Sequence, residues 1–469
     1  MSVSEYLHKK VPSISLGYFR ILFGVIIFYD TCRYGIKHSQ IEKNYNYGFT
    51  YELTSFIHTL SWQAMNCYFV VMAAAAACVA VGLYYRMASI LFCALFGCFF
   101  LMDQTRYLNH HYAICLIAFL MSLTKAGSYA SLDRVFAAKR TSSWVPYWNV
   151  LIIRGQIAII YFFGGIAKMN KDWLSGQPIV EWMSRRTDHP VVGGLFGEEW
   201  FVLPFFAYGG LIIDLLAPFL LFCKKTRWIG IGITIPFHLA NAWIFSIGVF
   251  PWFMIAATLI FVDFKPRKQE KMMAGARRLR LECLVTSFVL VYFIIQALLP
   301  LRHWMYPGNV SWTEEGHRFS WHMKLRSKRS VIFFLVKDKE KNLYYLLHAQ
   351  AELTARQAKK MSTRPHMIVA YANHLKEELF KHGYRDIEVR CVCLSSLNGR
   401  PYQLLVNPKI DLGDEKSGLL GHADWIVPLK KGQPIGLYDN PTEGDLKTNL
   451  EDDIYEAIKS ARIISHKKL

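Results

Sequence analysis

Lys168 closes an otherwise apolar run, Leu151–Ala167, in the string Tyr161-Phe-Phe-Gly-Gly-Ile-Ala-Lys168-Met-Asn-Lys-Asp-Trp173. Desolvation disfavours an ammonium ion, so an amine behind a hydrophobic wall can serve as a base near neutral pH. The competing role is an interfacial lysine whose stem lies along apolar surface with its head in water. Ionisable groups at membrane depth are rare and functional by default. Asp30, Arg33, Asp103, His110, Arg154, Gln156, Asp214, His238 and Asn241 interrupt the apolar segments in the same way. Hydrocarbon obliges each to find a partner. Arg154 with Asp103 or Asp214 would be a structural ion pair. The set as a whole predicts a polar cavity inside a helical bundle, open to one face. His238 and Asn241 lie one turn apart and face that cavity together, either binding a ligand or cross-linking helices. Gly164-Gly165 would let a helix or a flat ligand approach the backbone beside Lys168.

The elements that must position these residues are membrane helices. The chain has 469 residues and is 53% apolar, which fits a polytopic membrane protein rather than a soluble one. The long apolar runs fall in residues 1–300, and residues 301–469 are mixed and water-compatible. The expected fold is therefore a polytopic α-helical membrane protein of about nine transmembrane helices with a C-terminal α+β soluble domain rich in antiparallel sheet. Candidate spans are Ser13–Tyr29, Met65–Val81, Ala88–Leu101, Tyr112–Leu123, Val150–Ala167, Phe201–Phe222, Ile229–Phe245, Phe250–Phe261 and Leu284–Leu299. The first serves as a signal anchor, with no cleavable signal peptide. A net charge of +19 does not point to nucleic acid. The basic residues sit in alternate short loops, at Lys9 and Lys10, Arg86, Lys125 through Arg140, Lys224 through Arg227 and Lys265 through Arg280. This is the positive-inside pattern. It puts the N-terminus in the cytoplasm and, with nine spans, the C-terminal domain outside or in the lumen. The ten cysteines include no CxxC pair, so neither a zinc site nor a redox motif is expected. Cys391 and Cys393 read as packing residues of a strand.

Beyond residue 300, Ser330–Val336 and Asn342–Leu347 alternate around the charged turn Lys337–Lys341 and predict a hairpin. Thr354–His382 is amphipathic and helical, interrupted near Pro365. Glu388–Leu394 and Tyr402–Val406 flank Asn398-Gly399, a second hairpin signal.

Several of these strings, in one order and at similar spacings, resemble the vitamin K-dependent γ-glutamyl carboxylase family. They are Arg20-Ile-Leu-Phe-Gly24 with Asp30, Gly82-Leu-Tyr-Tyr-Arg86, Asp103-Gln-Thr with Asn109-His110 and Tyr112, and Pro146-Tyr-Trp-Asn149 with Arg154-Gly-Gln156. The lysine segment, Phe237-His238 with Asn241, Trp312-Thr313 with Ser320-Trp321, and Asn407-Pro-Lys-Ile-Asp411 complete the set. The resemblance implies that Lys168 deprotonates vitamin K hydroquinone. The hydroquinone anion then reacts with O2 and yields a strong base and finally the epoxide. That base removes a glutamate γ-proton, and CO2 traps the carbanion as γ-carboxyglutamate. His110 would assist the carboxylation half, and no metal is needed. Asn109, Arg154, Gly164, Gly165, His238 and Asn241 would line the quinone pocket. Trp312, His317, Arg318 and Trp321 would lie in the glutamate region, where animal members carry Leu-Tyr in place of Gly316-His317. The implied partners are a quinone from the bilayer and a glutamate-containing secreted protein or peptide. The implied location is the inner membrane of a bacterium or the endoplasmic reticulum of a eukaryote. Two other readings stand beside this one. A quinol epoxidase without peptide carboxylation would use the same bundle. A transporter would use the buried charges as an ion path, although no inverted repeat is visible.

Overall fold

The computed structural model describes residues 1–41, 49–52, 57–136, 143–245, 247–265, 279–348, 352–416, 421–433, 436 and 440–464. They sort into two compact units. One comprises Met1–Asn44, Glu52–Ile166 and Gly210–Pro300, and the other Tyr45–Tyr51, Ala167–Gly209 and Leu301–Leu469.

The first unit is helical. Its main helices are α1 (Ile14–Ile41), α2 (Trp62–Val81), α3 (Tyr85–Met102), α4 (Asn109–Leu123) and α5 (Trp148–Lys168), followed by α6 (Gly209–Phe222), α7 (Arg227–Ile244), α8 (Phe250–Thr258) and α9 (Leu279–Leu298). All nine segments read as spans are thus helical. Among the described residues, six helical stretches are long and apolar enough to cross a membrane: Ile14–Lys37, Trp62–Val81, Tyr85–Met102, Trp148–Lys168, Glu199–Phe222 and Arg280–Met305. Asn109–Leu123 and Phe250–Phe261 are apolar but shorter. Arg227–Ile244 carries Arg227, Pro236, His238 and Asn241. Six described helices therefore meet the length rule, where about nine spans were expected. The difference lies in helices that are short or polar.

The motifs near the N-terminus have a packing explanation. The Ser61 hydroxyl caps α2 by accepting from the Ala64 N–H at 3.3 Å, and α2 ends at Gly82 with φ +70°. The last carbonyls of a helix have no partner within it. Buried Arg20 supplies one, donating to Val79 O at 2.7 Å and Ala80 O at 2.6 Å. A Cβ on Gly24 would sit 2.4 Å from the Ala80 Cα, so α1 and α2 touch through backbone there. A short antiparallel pair, β1 (Lys10–Pro12) with β2 (Trp144–Pro146), joins the chain ahead of α1 to the chain ahead of α5.

The second unit holds a five-stranded sheet, β3 (Lys328–Asp338), β4 (Leu343–Leu347), β5 (Ile387–Leu397), β6 (Gln403–Leu404) and β7 (Arg462–Ile464), in the order β6-β5-β3-β4-β7. All neighbours are antiparallel except β4 and β7. Asn398 and Gly399, with φ of +51° and +74°, turn the chain after β5. The helices Ala355–Met361 and Pro365–Lys381 break at Pro365, as expected of a residue that cannot continue the ladder. Tyr371, Leu375 and Leu379 pack with Phe334, Val336, Val389 and Cys391 into a common core.

Candidate active site

In the helical unit, Asn109 and His110 open α4. Asn109 accepts from the Tyr107 hydroxyl at 3.0 Å. The His110 ring lies 6.0 Å from the Phe250 ring at the start of α8. His238, from α7, lies 6.3 Å from the same ring and bonds through Nε2 to the Tyr161 hydroxyl at 2.6 Å. Phe250 therefore brings two sequence-predicted residues, His110 and His238, to one aromatic surface, with Tyr161 of α5 as a third polar group. Asn241 sits one turn beyond His238 and is half-buried. An aromatic wall with a few hydrogen-bonding groups is what a flat quinone requires, so this donor set fits one. Gly165 touches α6, where an added Cβ would lie 2.7 Å from Leu215 Cδ2. Gly165 thus serves the approach of a helix, and Gly164 stands beside it on α5.

Arg154 departs from the expected pairing. Its partner is neither Asp103 nor Asp214 but Asp263, at 3.0 Å, and its Nε donates to Ile260 O at 2.9 Å. Arg227 binds the other Asp263 oxygen at 2.6 Å. On α5 the rise of about 1.5 Å per residue puts Arg154 roughly 21 Å from Lys168. It belongs to the far end of that helix, where it ties α5 to α7 and to the chain after α8. Next to His110 on α4, His111 is fully buried and contacts Arg106 O at 3.1 Å and the Tyr34 hydroxyl at 3.3 Å. Asp263 and His111 were not singled out from the sequence, because one follows a span and the other sits beside a stronger candidate.

Lys168 falls in the second unit. Its side chain is only 8% exposed, and its Nζ lies 5.4 Å from the centroid of the Trp173 ring. The turn after it is held in detail. Asn170 donates to Ala167 O at 2.8 Å and caps the next short helix by accepting from the Trp173 N–H at 3.0 Å. Trp173 donates to Ala207 O at 2.8 Å. Asp172 binds Arg400 through both oxygens and accepts from Asn398 Nδ2 at 2.7 Å. Glu181 binds Arg329 at 2.6 Å. Two ion pairs therefore fasten the segment carrying Lys168 to the sheet.

The glutamate region forms a second cluster in this unit. Trp312 is fully buried and donates to Val427 O at 2.7 Å, and its own carbonyl accepts from Lys328 Nζ at 2.6 Å. The stretch after it turns repeatedly through the left-handed region, at Glu314, Gly316, Phe319, Trp321 and Lys324. At Gly316, with φ +66°, an added Cβ would meet the His303 Cα at 2.5 Å. Only glycine fits there. Such backbone is stored at sites that the surroundings over-determine. Arg318 donates to His366 Nε2 at 2.9 Å, and Arg326 pairs with Glu314 at 2.7 Å. His317 Nδ1 lies 3.8 Å from the same carboxylate.

Burial and neighbouring cations depress several basic groups here. Burial first, then Arg326 and Arg364 against the pull of Glu314, pushes Lys328 down to about 7. Burial with Arg364, Arg356 and Arg326 pushes Lys360 down to about 6. Burial, with Arg318, Arg326 and Arg364, holds His317 and His366 well below the ordinary imidazole value. Burial and His303 take His322 to about 3. An anion placed among these groups would favour their charged forms. Sequence reading found His317, Arg318 and Trp321 but missed Arg326, Lys328, Lys360 and Arg364. The first two flank Ser327 where β3 begins, and the last two straddle a helix break, so no single motif contains them.

Two family models match the chain. The HTTM domain covers residues 8–265, more than half of it. The vitamin K-dependent gamma-carboxylase lumenal domain covers residues 281–432. No solved structure matches. The first match spans α1 to α8, with the Phe250 surface and Lys168, and the second takes in β3 to β6 of the sheet and the basic cluster. The chain is thus a multi-pass membrane protein that belongs to the vitamin K-dependent γ-carboxylase family, an HTTM domain followed by that family's lumenal domain.

Proposed function

We propose that the protein oxidises vitamin K hydroquinone to the epoxide with O2 and couples this to carboxylation of protein glutamate by CO2. The observation that carries the reading is Lys168, a buried lysine at the end of an apolar helix with its Nζ against the Trp173 ring. When bound, the hydroquinone supplies with O2 the basicity that removes a glutamate γ-proton. The residues of the chain bind, orient and exclude water around that event. Lys168 Nζ takes the hydroquinone proton, which requires a neutral amine in a water-poor place. Phe250 with Tyr161 and His238 offers the quinone a wall and hydrogen-bonding groups, with Asn109, Gly164, Gly165 and Asn241 nearby on the same helices. His110 assists the carboxylation half. Arg318, Arg326, Lys328 and Lys360, with Trp321 and His317, receive the glutamate carboxylate. Arg154 is assigned a structural role.

A quinol epoxidase that does not carboxylate peptides is the second reading. Gly316 and His317 favour it, because they stand where animal members carry a bulkier pair. The test is one reaction containing purified protein, reduced vitamin K, O2, labelled CO2 and a glutamate peptide. Mass spectrometry should find epoxide together with γ-carboxyglutamate. Epoxide alone would favour the second reading, and neither product under conditions where the protein is folded would reject both.

A further inference from the structure

Two cysteines meet at the seam between α3 and α4. Cys93 Sγ lies 3.9 Å from Cys115 Sγ. Each thiol also reaches the other's backbone, Cys93 Sγ to Cys115 O at 3.5 Å and Cys115 Sγ to Cys93 O at 4.0 Å. Both side chains are half-buried, and neither is in a disulfide. A disulfide needs a sulfur separation of about 2 Å, so about 2 Å of closure separates the two states. Rotation of the two side chains and a slight approach of the helices can supply it. Gly97, one turn beyond Cys93, faces Cys115, where an added Cβ would lie in ordinary contact 3.7 Å from its sulfur. The seam faces outward. Ile90, one turn before Cys93, is 48% exposed, and Phe119, one turn after Cys115, is 41% exposed. In a helix that crosses a bilayer, such side chains look into hydrocarbon. Small oxidants dissolved in the lipid can therefore reach the pair, whereas water-soluble reductants have poorer access.

We propose that Cys93 and Cys115 are a redox-active dithiol that closes to a disulfide by reducing a lipid-soluble quinone to its hydroquinone. Two S–H bonds break and one S–S bond forms. Two electrons and two protons pass to the quinone, whose two carbonyl oxygens become hydroxyls. One disulfide is made per hydroquinone. The product belongs to the chemical class that the proposed epoxidation consumes, so a quinone could be prepared within the bundle that uses it. The disulfide would also staple α3 to α4, the helix that opens with Asn109 and His110. The proposal adds to the carboxylase reading and does not depend on it, because its readout is a covalent bond.

The test uses the full chain in lipid nanodiscs, reduced, freed of reductant, and kept without oxygen. It is then incubated with menadione or vitamin K quinone. Free thiols are counted by maleimide mass shift, hydroquinone is measured by its fluorescence, and the cross-link is mapped by digestion without reduction. The expected result is loss of two thiols per chain, about one hydroquinone per chain, and a peptide joining Cys93 to Cys115. Cys93→Ser and Cys115→Ser should each abolish the cross-link and at least nine-tenths of the quinone reduction. Cys67→Ser should leave both unchanged. Absence of the Cys93–Cys115 peptide from the folded wild-type protein would overturn the proposal, whatever the variants do. So would a cross-link that forms with diamide but not with the quinone, or unchanged quinone reduction in Cys93→Ser.

Discussion

Lys168→Ala removes the amine on which the proposed proton transfer depends. General bases contribute about 10²–10⁴ in rate, so epoxide formation should fall by at least about 100-fold while the thermal transition holds. Lys168→Arg should fail as well, because a guanidinium stays protonated. Epoxidation at the wild-type rate in Lys168→Ala would remove the base from the mechanism. The lysines of the basic cluster allow a prediction with a sign. Lys328 titrates near 7 in the folded protein against an ordinary value of 10.5. Between those values the unfolded chain holds a proton that the folded chain has given up. Stability should therefore rise with pH across that window, with the full penalty in place below pH 7. Lys328→Met should flatten that rise, measured as Tm between pH 7 and 9.5. A bound carboxylate favours the charged amine, so glutamate peptide binding should take up protons and weaken as pH climbs. The same substitution should raise KM for the peptide several-fold and leave epoxidation alone. Loss of both activities together would make Lys328 a structural residue.

Among the elements, the turn after α5 is the one whose placement matters most. Asp172 is 7% exposed and holds Arg400 through both oxygens, with Asn398 as a third contact. Removing one member of a buried pair leaves the other charge uncompensated, at a cost of about 3 kcal/mol or more. Asp172→Ala and Arg400→Ala should each lower Tm. The double variant should cost much less than their sum, since both singles break one contact. Additive losses would show that the two residues act separately. The sequence made part of this legible. Apolar runs located all nine helices, and the alternation around Lys337–Lys341 and Asn398-Gly399 located the hairpins, because these signals are local. Lys168 and His110 stood out for the same reason, each a polar residue in an apolar or helix-opening setting. The pairings were not legible. Arg154 finds Asp263 across 109 residues, and Asp172 finds Arg400 across 228, and nothing local reports such a distance. The span count was less legible than the helices, because Asn109–Leu123 and Phe250–Phe261 are short and Arg227–Ile244 carries a proline and polar residues.

For the whole molecule the open quantity is the parity of its crossings. Six helices meet the length and apolarity of a span among the described residues, and an even number returns the chain to the side from which it began. Adding Asn109–Leu123, Arg227–Ile244 and Phe250–Phe261 gives nine and carries it across. Short helices can cross when the bilayer thins locally or when neighbours bury them. Polar helices can cross when their charges face the bundle, as His238 does in bonding Tyr161. By the positive-inside rule the basic loops would set the N-terminus in the cytoplasm, and the match to a lumenal domain over residues 281–432 would set that domain on the lumenal face. Those two arguments agree only if the number of crossings is odd. A tag at the C-terminal end of this chain should therefore react with a membrane-impermeant reagent from the outer or lumenal face alone, and a tag at the N-terminus from the cytoplasmic face alone. Both tags reacting from one face would require an even count. It would leave the short helices as parts of the bundle that enter the membrane without crossing it, and it would move the basic cluster to the side away from secreted substrates.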